Sequence, residues 1–428
     1  RRHNHIRNDQ GVTNLSDDLI YSIALQKALG FACKGIGKII ARFKSADAVF
    51  AADRKILEQS GLFTEKQLGG ISAESLDYAR EVASLCKNSG IKPIAVTDAD
   101  YPQNLRSIAD PPCVLYTLGD LPDFSQTPSI SIVGSRKPTK YSSLSAFNIS
   151  RKLACSGFVI ISGAAVGIDS AAHLGALDAG GRTAAVLGTG LLSNYLMKQE
   201  PLRKRISQNG ALITEFPPGM AVQRFSFPMR NRIISALSLG TAVIQAGEKS
   251  GSLITASFAA EQGRDVFALP GHAGETEFAG SNNLIKNGAK PIFSFSDIAE
   301  EYSGLFPGKI DLSAGELCPE KTSIPSFPSP DASEEPPRFA KKAEQKHNEP
   351  SAYKKDEINK KFTVPAPQRD LSEDAGVVYN SFCENIALFD DLVCSSGLKS
   401  DRLMCALTEL EINGLVSRLS GNRFEKLS

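Results

Sequence analysis

The sequence has no excess of charge of either sign, because its 428 residues contain 48 Lys and Arg against 47 Asp and Glu. The protein as a whole therefore exerts no strong basic field, and any affinity for nucleic acid must come from a local patch. No apolar run approaches the roughly 20 residues that a membrane span needs, and no apolar signal core follows the Arg- and His-rich N-terminus. We expect a soluble cytoplasmic protein with no membrane partner.

Cysteine is sparse, and no Cys-x-x-Cys pair occurs. The eight cysteines are Cys33, Cys86, Cys113, Cys155, Cys318, Cys383, Cys394 and Cys405. Neither they nor the five histidines have metal-ligand spacing, which argues against a disulfide framework and against a zinc site. We expect reduced cysteines, no metal and no cofactor.

The first part of the chain predicts helices. A length of 428 residues suggests two to four domains. Residues 1–14 are polar and are expected to be disordered, whereas residues 15–88 place apolar side chains at helical spacing. Within them, Gly35-Ile36-Gly37 resembles the turn of a helix-hairpin-helix, which would make this a SAM/helix-hairpin-helix-like domain that contacts DNA. An ordinary glycine turn in a small helical bundle explains the pattern equally well.

Residues 89–303 predict an α/β domain with an extended Rossmann-like parallel sheet. After a connecting segment from Ile91 to Leu121, short apolar runs alternate with helical stretches, which implies parallel strands covered on both faces. The predicted strands are Ile130–Val133, Val159–Ile161, Thr183–Leu187, Ala211–Thr214, Ala242–Gln245, Val266–Leu269 and Pro291–Phe293.

The last third of the chain predicts a linker and a small domain. Residues 304–369 are rich in proline, serine and mixed charge and are expected to be a disordered linker. Residues 370–428 predict three helices, the third from Ser400 to Ile412, and then a hairpin turned by Gly421 and Asn422. This is the outline of a winged helix. It serves either as a DNA reader or as a protein-interaction module.

The loops that follow the predicted strands are small, polar or basic. Ligands of open parallel sheets bind beyond the carboxyl ends of the strands, where Arg forks and the free N–H groups of Gly/Ser turns can hold phosphate. The candidate phosphate-binding residues in these loops are Gly134, Ser135, Arg136, Lys137, Ser162, Gly163, Gly167, Arg230, Asn231, Arg232, Lys249, Ser250, Gly251, Ser252 and Thr255.

The spacing of these residues favours a strand of nucleic acid over a single nucleotide. The sequence has neither a G-x-x-x-x-G-K-[ST] loop nor a dinucleotide fingerprint. Cations on separate loops suit consecutive phosphates, and Phe216, Phe225 and Phe227 are either stacking faces for unpaired bases or anchors in the core. Asp169 and His173 are more typical of a helix N-cap and a packed side chain than of an acid and a base.

In these blocks the chain resembles the bacterial DNA-processing protein A (DprA, also called Smf) family, most densely from Tyr101 to Tyr302. The residues that carry the resemblance are Tyr101-Pro102, Pro111-Pro112, Val133-Gly134-Ser135-Arg136, Ser162-Gly163, Gly167-Ile168-Asp169, Ala172-His173, Gly188, Gly190, Glu215, Phe227-Pro228, Arg230-Asn231-Arg232-Ile233-Ile234, Ser250-Gly251-Ser252-Leu253-Ile254-Thr255-Ala256, Gly263-Arg264, Pro270-Gly271 and Gly280. The resemblance implies a non-enzymatic protein that binds single-stranded DNA, forms a homodimer, protects incoming DNA and loads RecA recombinase during natural transformation.

The resemblance also implies roles for the candidate residues. Arg136 would hold a backbone phosphate that Gly134 and Ser135 let approach closely, and Ser162 and Gly163 would line the same pocket. The far wall would be oriented by Arg230, Asn231 and Arg232, and a second phosphate would be capped by Ser250, Gly251 and Thr255.

The chain departs from the family pattern in two places. Val166 stands where the family usually has Arg, so that one cation is missing near the pocket unless Lys137 compensates. Tyr195 is followed by Leu196-Met197-Lys198 instead of the usual proline, which puts the path of that loop in doubt.

An enzymatic function is the alternative hypothesis. Rossmann-like folds also host nucleotide hydrolases of the phosphoribohydrolase type, with Glu215 or Glu261 as acid/base in the same crevice. Glu215 could instead pair with Arg230 or Arg232 and fix the loop.

Overall fold

The computed structural model describes residues 17–31, 35–195, 199–223, 225–324, 372–382, 386–398, 402–403, 406–407, 409–410, 415–419 and 423–426. These residues belong to two compact units, 1–338 and 339–428. The predicted disordered N-terminus, the predicted linker from residue 325 onward and the path through Leu196-Met197-Lys198 lie outside the described residues.

The described residues before the sheet form six helices. They are α1 (Asp17–Leu29), α2 (Ile36–Phe43), α3 (Ala46–Ala51), α4 (Arg54–Gln59), α5 (Glu65–Gly70) and α6 (Ala73–Asn88). Thr64 begins α5 with a capping box, in which its hydroxyl and the Gln67 side chain each accept the other residue's backbone N–H. Of the predicted turn Gly35-Ile36-Gly37, Gly35 has a φ of 119° and is the N-cap of α2, whereas Ile36 and Gly37 already belong to α2. Residues 32–34 lie outside the described part.

Gln26 joins this helical part to the sheet that follows. Its side chain is buried in α1 and donates to the carbonyl oxygens of Val114 (3.2 Å) and Glu215 (3.0 Å). The Tyr116 hydroxyl donates to its amide oxygen at 3.0 Å. Because these buried polar groups satisfy one another, the helices and the sheet form one packed unit.

In the described part of the first unit, nine strands form one sheet in the order β1-β2-β6-β5-β4-β3-β7-β8-β9. They are β1 (Lys92–Ala95), β2 (Val114–Gly119), β3 (Ser129–Val133), β4 (Val159–Ser162), β5 (Thr183–Val186), β6 (Gly210–Thr214), β7 (Gly240–Val243), β8 (Asp265–Ala268) and β9 (Lys290–Pro291). Strands β3 to β9 pair in parallel. Every residue of β3 to β7 is buried, which explains their apolar and small composition and confirms the predicted parallel sheet.

Helices follow the strands of the sheet. They are α7 (Gln103–Arg106), α8 (Lys140–Cys155), α9 (Ile168–Asp178), α10 (Glu200–Gln208), α11 (Ser226–Ala236), α12 (Gly251–Glu261), α13 (Ala279–Lys286), α14 (Ser296–Ser303) and α15 (Leu312–Leu317). Gly175 lets α8 and α9 pack closely, because a Cβ there would overlap the Phe147 carbonyl. Within the described residues, no helix has both the length and the apolar character of a bilayer span.

The segment expected to be a mere connection contains two strands. β1 pairs with β2, and β2 with β6, both antiparallel. The sequence pattern did not predict these two strands, because Pro93 interrupts the first short apolar run and Pro112 precedes the second.

The strand order places a switch point at β3. From there the chain builds β4, β5 and β6 on one side and β7, β8 and β9 on the other. Because crossover connections are right-handed, this reversal sends the helices of the two halves to opposite faces and leaves a crevice between the carboxyl ends of β3 and β7.

The predicted start of the linker at Gly304 is wrong. Residues 304–324 continue the first unit, and they contain α15, which packs on α8. Asn148 exchanges two hydrogen bonds with the Lys321 backbone, at 3.0 and 3.1 Å. Three apolar side chains of this segment, Phe306, Ile310 and Leu312, pack against the core. The polar average composition of the segment therefore wrongly predicted disorder here.

The second unit has the order of a winged helix. Its described elements are α16 (Glu373–Asn380), β10 (Ile386–Leu388), α17 (Phe389–Ser396), β11 (Val416–Leu419) and β12 (Arg423–Lys426). The three strands pair in the order β10-β12-β11, all antiparallel. Residues 402–403, 406–407 and 409–410 are helical, whereas the rest of the predicted third helix and the Gly421-Asn422 turn lie outside the described residues. Val378, Leu392, Leu407 and Phe424 form its core.

Candidate nucleic-acid interface

A pocket of about 240 Å³ occupies the switch point. Its walls come from the loops after β3 and β4, from α11, and from the start of α12. The predicted site residues that line it are Gly134, Arg136, Arg230, Asn231, Ser250, Gly251, Ser252 and Thr255. The structure therefore brings these eight predicted residues together at one edge of the sheet, as expected from the sequence.

The loop after β3 is fixed by its neighbours. The Ser135 N–H donates to the Gln245 carbonyl at 2.9 Å, and the Gln245 side chain accepts from the Thr139 N–H at 2.9 Å. A Cβ on Gly134 would lie 2.8 Å from an Ile168 side-chain carbon, so only glycine lets the loop pass there. Gln245, at the end of β7, thus ties the two central loops together. The sequence offered no signal for that role.

The loop after β4 is pinned against the loop after β3. The Ile168 N–H donates to the Ser135 carbonyl at 3.1 Å, and Gly167 adopts a φ of 91° beside the same carbonyl. Gly163 and Gly167 therefore shape the pocket through their backbone and lie outside its lining. Val166, the departure from the family pattern, is half-buried in this loop.

Ser162 does not line the pocket as expected. It is fully buried at the end of β4, and its hydroxyl donates to the Ile132 carbonyl at 2.6 Å. Its role is to join two central strands. The prediction is wrong because a strand-end serine can turn inward as easily as toward the crevice.

Arg136 is the exposed cation of the pocket. Its guanidinium lies 5.2 Å from the centre of the Phe227 ring, which is half-buried below it. Among the described residues, no carboxylate lies within ion-pair distance of Arg136. Lys137 is exposed next to it, with its backbone N–H donating to the Ser135 hydroxyl at 3.1 Å. A backbone phosphate can therefore approach Arg136 without breaking an ion pair.

Arg230 is buried in the pocket wall. Its Nη1 donates to the carbonyl oxygens of Gly163 (2.9 Å) and Val186, and its Nε donates to Asn231 Oδ1 at 3.0 Å. Burial lowers the pKa of Arg230 to about 10, which leaves it protonated at neutral pH. This buried positive charge favours an anion in the pocket.

Asp169 stabilises the loop that faces Arg230. Its carboxylate accepts the backbone N–H groups of Gly163 (3.1 Å) and Ala165 (3.4 Å), and it is 8 % exposed. Burial raises the pKa of this carboxyl, while Arg230 acts in the opposite direction. The expected N-cap role is wrong, because Gly167 is the N-cap of α9 and Asp169 bonds back to the preceding loop.

Arg232 does not reach the pocket. Its side chain is 1 % exposed, and it makes a two-pronged ion pair with Glu215 (2.9 and 2.7 Å) and a further one with Asp110 (3.1 Å). Burial acts to lower the pKa of Arg232, but Glu215, Asp110 and Tyr101 together act more strongly in the opposite direction, and the pKa is raised. The prediction that Arg232 contacts phosphate is wrong, and the interpretation that Glu215 pairs with an arginine to fix the loop is confirmed. Asp110 lies 122 residues away in the sequence, so no local pattern could reveal it.

Helix α12 begins at the pocket. Ser250 is its N-cap and accepts the Ser252 N–H at 3.4 Å, and the Asn231 side chain donates to the Gly251 carbonyl at 3.3 Å. The start of an eleven-residue helix adds partial positive charge to the pocket. Lys249 is exposed just before it, outside the pocket lining.

The three phenylalanines have different environments. Phe227 lines the pocket beneath Arg136. Phe216 is fully buried against Phe31, with ring centres 5.1 Å apart, so of the two alternatives it is an anchor in the core and not a stacking face. Phe225 is 48 % exposed but lines a separate groove between the helical part and the 217–223 loop.

His173 is a core side chain, as interpreted from the sequence. It is fully buried in α9, and its Nδ1 is 2.7 Å from the Thr183 hydroxyl. Burial lowers its pKa to about 3, with Arg230 adding to the shift. A permanently neutral, enclosed imidazole cannot act as a base on a ligand in the pocket.

Neither Glu215 nor Glu261, the two carboxylates considered as an acid/base, faces the pocket. Both Glu215 oxygens bind Arg232. Glu261 is exposed at the opposite end of α12 from the pocket. Among the described residues there is also no group of three metal-ligating side chains.

The fold and the site together define a class: a Rossmann-like α/β protein with a pocket at the switch point that is lined by two arginines and the start of a helix. Family models match the chain as "DNA recombination-mediator protein A" over residues 92–303 and as "DprA winged helix domain" over residues 363–422. The protein is similar to the DNA processing protein DprA of Bacillus subtilis, with 42 % identity over 51 % of this chain and 74 % of that protein. It is 34 % identical to Protein Smf of Synechocystis over 77 % of this chain and 78 % of that protein.

A solved structure agrees. DprA from Streptococcus pneumoniae is 33 % identical and superimposes with a TM-score of 0.57, over 66 % of this chain and 97 % of that chain. The chain belongs to the DprA/Smf family, and the resemblance read from its motifs is confirmed.

Proposed function

We propose that this protein binds single-stranded DNA through its sugar-phosphate backbone at the switch-point pocket and acts in DNA processing. The observation that supports the proposal is that the exposed Arg136, the buried Arg230 and the start of α12 face one pocket. The related proteins of Bacillus subtilis and Streptococcus pneumoniae are named DNA processing proteins.

The arrangement favours backbone recognition without base readout. The positive groups come from three different elements, the loop after β3, helix α11 and the start of α12, so successive phosphates can contact them in turn. Phe227 offers an aromatic face to an unpaired base. Lys137 and Lys249 are exposed on either side and would extend the positive path.

The wider biological role is part of the same proposal. By membership in the family, the protein forms a homodimer in the cytoplasm, protects incoming single strands and loads RecA recombinase during transformation, with no enzymatic step. Faster nucleation of RecA filaments on coated single strands in the presence of this protein is the expected result.

Binding of short oligonucleotides tests the proposed site. Single strands of different composition should bind with similar affinity and more tightly than a duplex, as followed by fluorescence anisotropy. Arg136→Ala should weaken single-strand binding roughly tenfold, because a charge-assisted contact to phosphate is lost. Arg80→Ala, which removes an exposed arginine on α6, is the matched control and should change nothing. Equal losses in both variants would count against the site.

Turnover of nucleoside monophosphates tests the enzymatic alternative. The proposal expects no released base from the wild-type protein. Release that disappears in Glu215→Gln, with the fold preserved, would overturn the non-enzymatic proposal.

A further inference from the structure

Two cysteines that the proposed DNA site does not use lie side by side at the end of α8. Cys155 Sγ and Cys318 Sγ are 2.8 Å apart, although 163 residues separate them in the sequence. Cys155 is the last residue of α8, and Cys318 follows α15 directly. A disulfide has a sulfur–sulfur distance of about 2.05 Å, so the two sulfurs need to approach by less than roughly 1 Å to bond.

The surroundings of this pair differ between the two sulfurs. Arg151, one turn before Cys155 on α8, donates from Nη1 to Cys318 Sγ at 3.0 Å. Its Nε is held by Asp178 at 2.6 Å, so the guanidinium is fixed in place. Arg151 therefore places a positive charge and an N–H donor directly on Cys318 Sγ, and we assign Cys318 as the nucleophile from this contact. Cys155 is half-buried and gives the pair its access to solvent.

The other two described cysteines lack this environment. Cys86 and Cys113 are buried and form no disulfide, and Cys113 donates its S–H to the Ser22 carbonyl at 3.4 Å. Burial raises the pKa of Cys86 to about 12, so its thiol stays protonated. These two residues serve as internal controls for the Cys155–Cys318 pair.

We propose that Cys155 and Cys318 form a reversible disulfide when the protein meets a peroxide, and that this bond locks residues 304–324 onto α8. The Cys318 thiolate attacks one peroxide oxygen, the O–O bond breaks, and the leaving hydroxide takes up a proton as water. The sulfur of Cys155 then attacks the Cys318 sulfenic acid, so that the S–S bond forms as the S–O bond breaks. The second hydroxide leaves as water with the Cys155 proton. In total, two thiols are oxidised and one peroxide is reduced to two waters.

The Cys155–Cys318 disulfide would strengthen the attachment of residues 304–324 to α8. In the reduced protein, the end of this segment is held by hydrogen bonds from Arg151 to the Pro319 carbonyl and between Asn148 and Lys321. An exposed ion pair of Lys152 with Glu320 adds little. A covalent link at Cys318 stops this segment from separating from α8 and fixes the point from which the chain continues toward the second unit.

Peptide mapping of the full-length protein tests the disulfide. The native protein is treated with hydrogen peroxide, its remaining thiols are blocked with iodoacetamide, and it is digested with trypsin. The expected product is a linked pair of the peptides 153–182 and 310–321, which disappears on treatment with dithiothreitol. Cys155→Ser and Cys318→Ser should each abolish the linked pair, whereas Cys86→Ser should leave it intact.

Limited proteolysis gives a second readout that does not depend on mutation. Cleavage of the native protein after Lys309 and Lys321 should be at least several-fold slower after peroxide treatment, and dithiothreitol should restore the rate. Alkylation of both Cys155 and Cys318 after peroxide treatment of the native protein would overturn the proposal. So would a disulfide that joins either of them to another cysteine, or cleavage at an unchanged rate in a protein that carries the linked pair.

Discussion

At the scale of single residues, burial decides which arginine side chain is accessible to a ligand. Arg136, Arg230 and Arg232 are equivalent in sequence terms, yet they are exposed, lodged among carbonyl groups and enclosed by carboxylates, respectively. Glu215 and Asp110 enclose Arg232 alone. The sequence left open which arginine Glu215 pairs with, and it gave no sign of Asp110. The sequence could therefore predict the group of cations at the site but not the division of roles among them.

Replacing Arg232 should destabilise the protein. Arg232→Ala removes both charged hydrogen bonds that the buried Glu215 carboxylate accepts from Arg232, and we expect a loss of about 3–5 kcal/mol in the free energy of unfolding, measured with urea and circular dichroism. Arg136→Ala should change it by no more than about 0.5 kcal/mol. A stable Arg232→Ala protein with selectively lost DNA affinity would show instead that Arg232 binds the ligand.

His173 should make stability depend on pH. Its pKa is lowered to about 3 in the folded protein, against about 6.5 for an exposed histidine, so the unfolded chain binds a proton that the folded protein does not. Its contribution is complete above pH 6.5 and is lost as the pH falls toward 3, by up to about 1.4 kcal/mol per pH unit. His173→Gln should flatten the pH dependence of urea unfolding in this range, and an equally steep profile would contradict the assignment.

At the scale of helices and strands, the pocket depends on the turns between them. The alternating apolar runs predicted β3 to β9 correctly, because strands buried on both faces need continuous apolar or small residues. The antiparallel β1 and β2 and helix α15 were missed, since prolines and polar residues dilute their short apolar patterns. The turns that bring the loops together depend on single glycines, whose role becomes visible only beside the neighbouring backbone.

Adding one methyl group at Gly167 should impair DNA binding. In Gly167→Ala the new Cβ would overlap the Ser135 carbonyl, so the loops after β3 and β4 must separate. Gly180→Ala is the matched control, because its φ of 68° is also positive while no atom lies within 4 Å of the new Cβ. Anisotropy should show weaker single-strand binding for Gly167→Ala alone. Equal affinity in the two variants would argue against a role of this turn in the site.

At the scale of the whole molecule, we expect the two units to have different binding functions. The first unit contains the switch-point pocket, and the second matches a winged helix domain of the family. Arg402 of the second unit forms hydrogen bonds with Asp374 at 2.8 and 2.6 Å, so part of its basic surface is used within the unit.

Removing residues 371–428 should separate duplex binding from single-strand binding. If the second unit contacts duplex DNA, its deletion should weaken duplex affinity and leave single-strand affinity unchanged in gel shifts. An unchanged affinity for both would indicate a partner-docking role for the second unit.

The salt dependence of single-strand binding tests the central claim most directly. Each neutralised phosphate contributes a slope of about −0.7 in log affinity against log salt, so Arg136→Ala/Lys249→Ala should reduce the slope by roughly one to two units for any base sequence. The Arg80→Ala control should retain the full slope. An unchanged slope in the folded double variant would show that DNA does not bind at the crevice between β3 and β7.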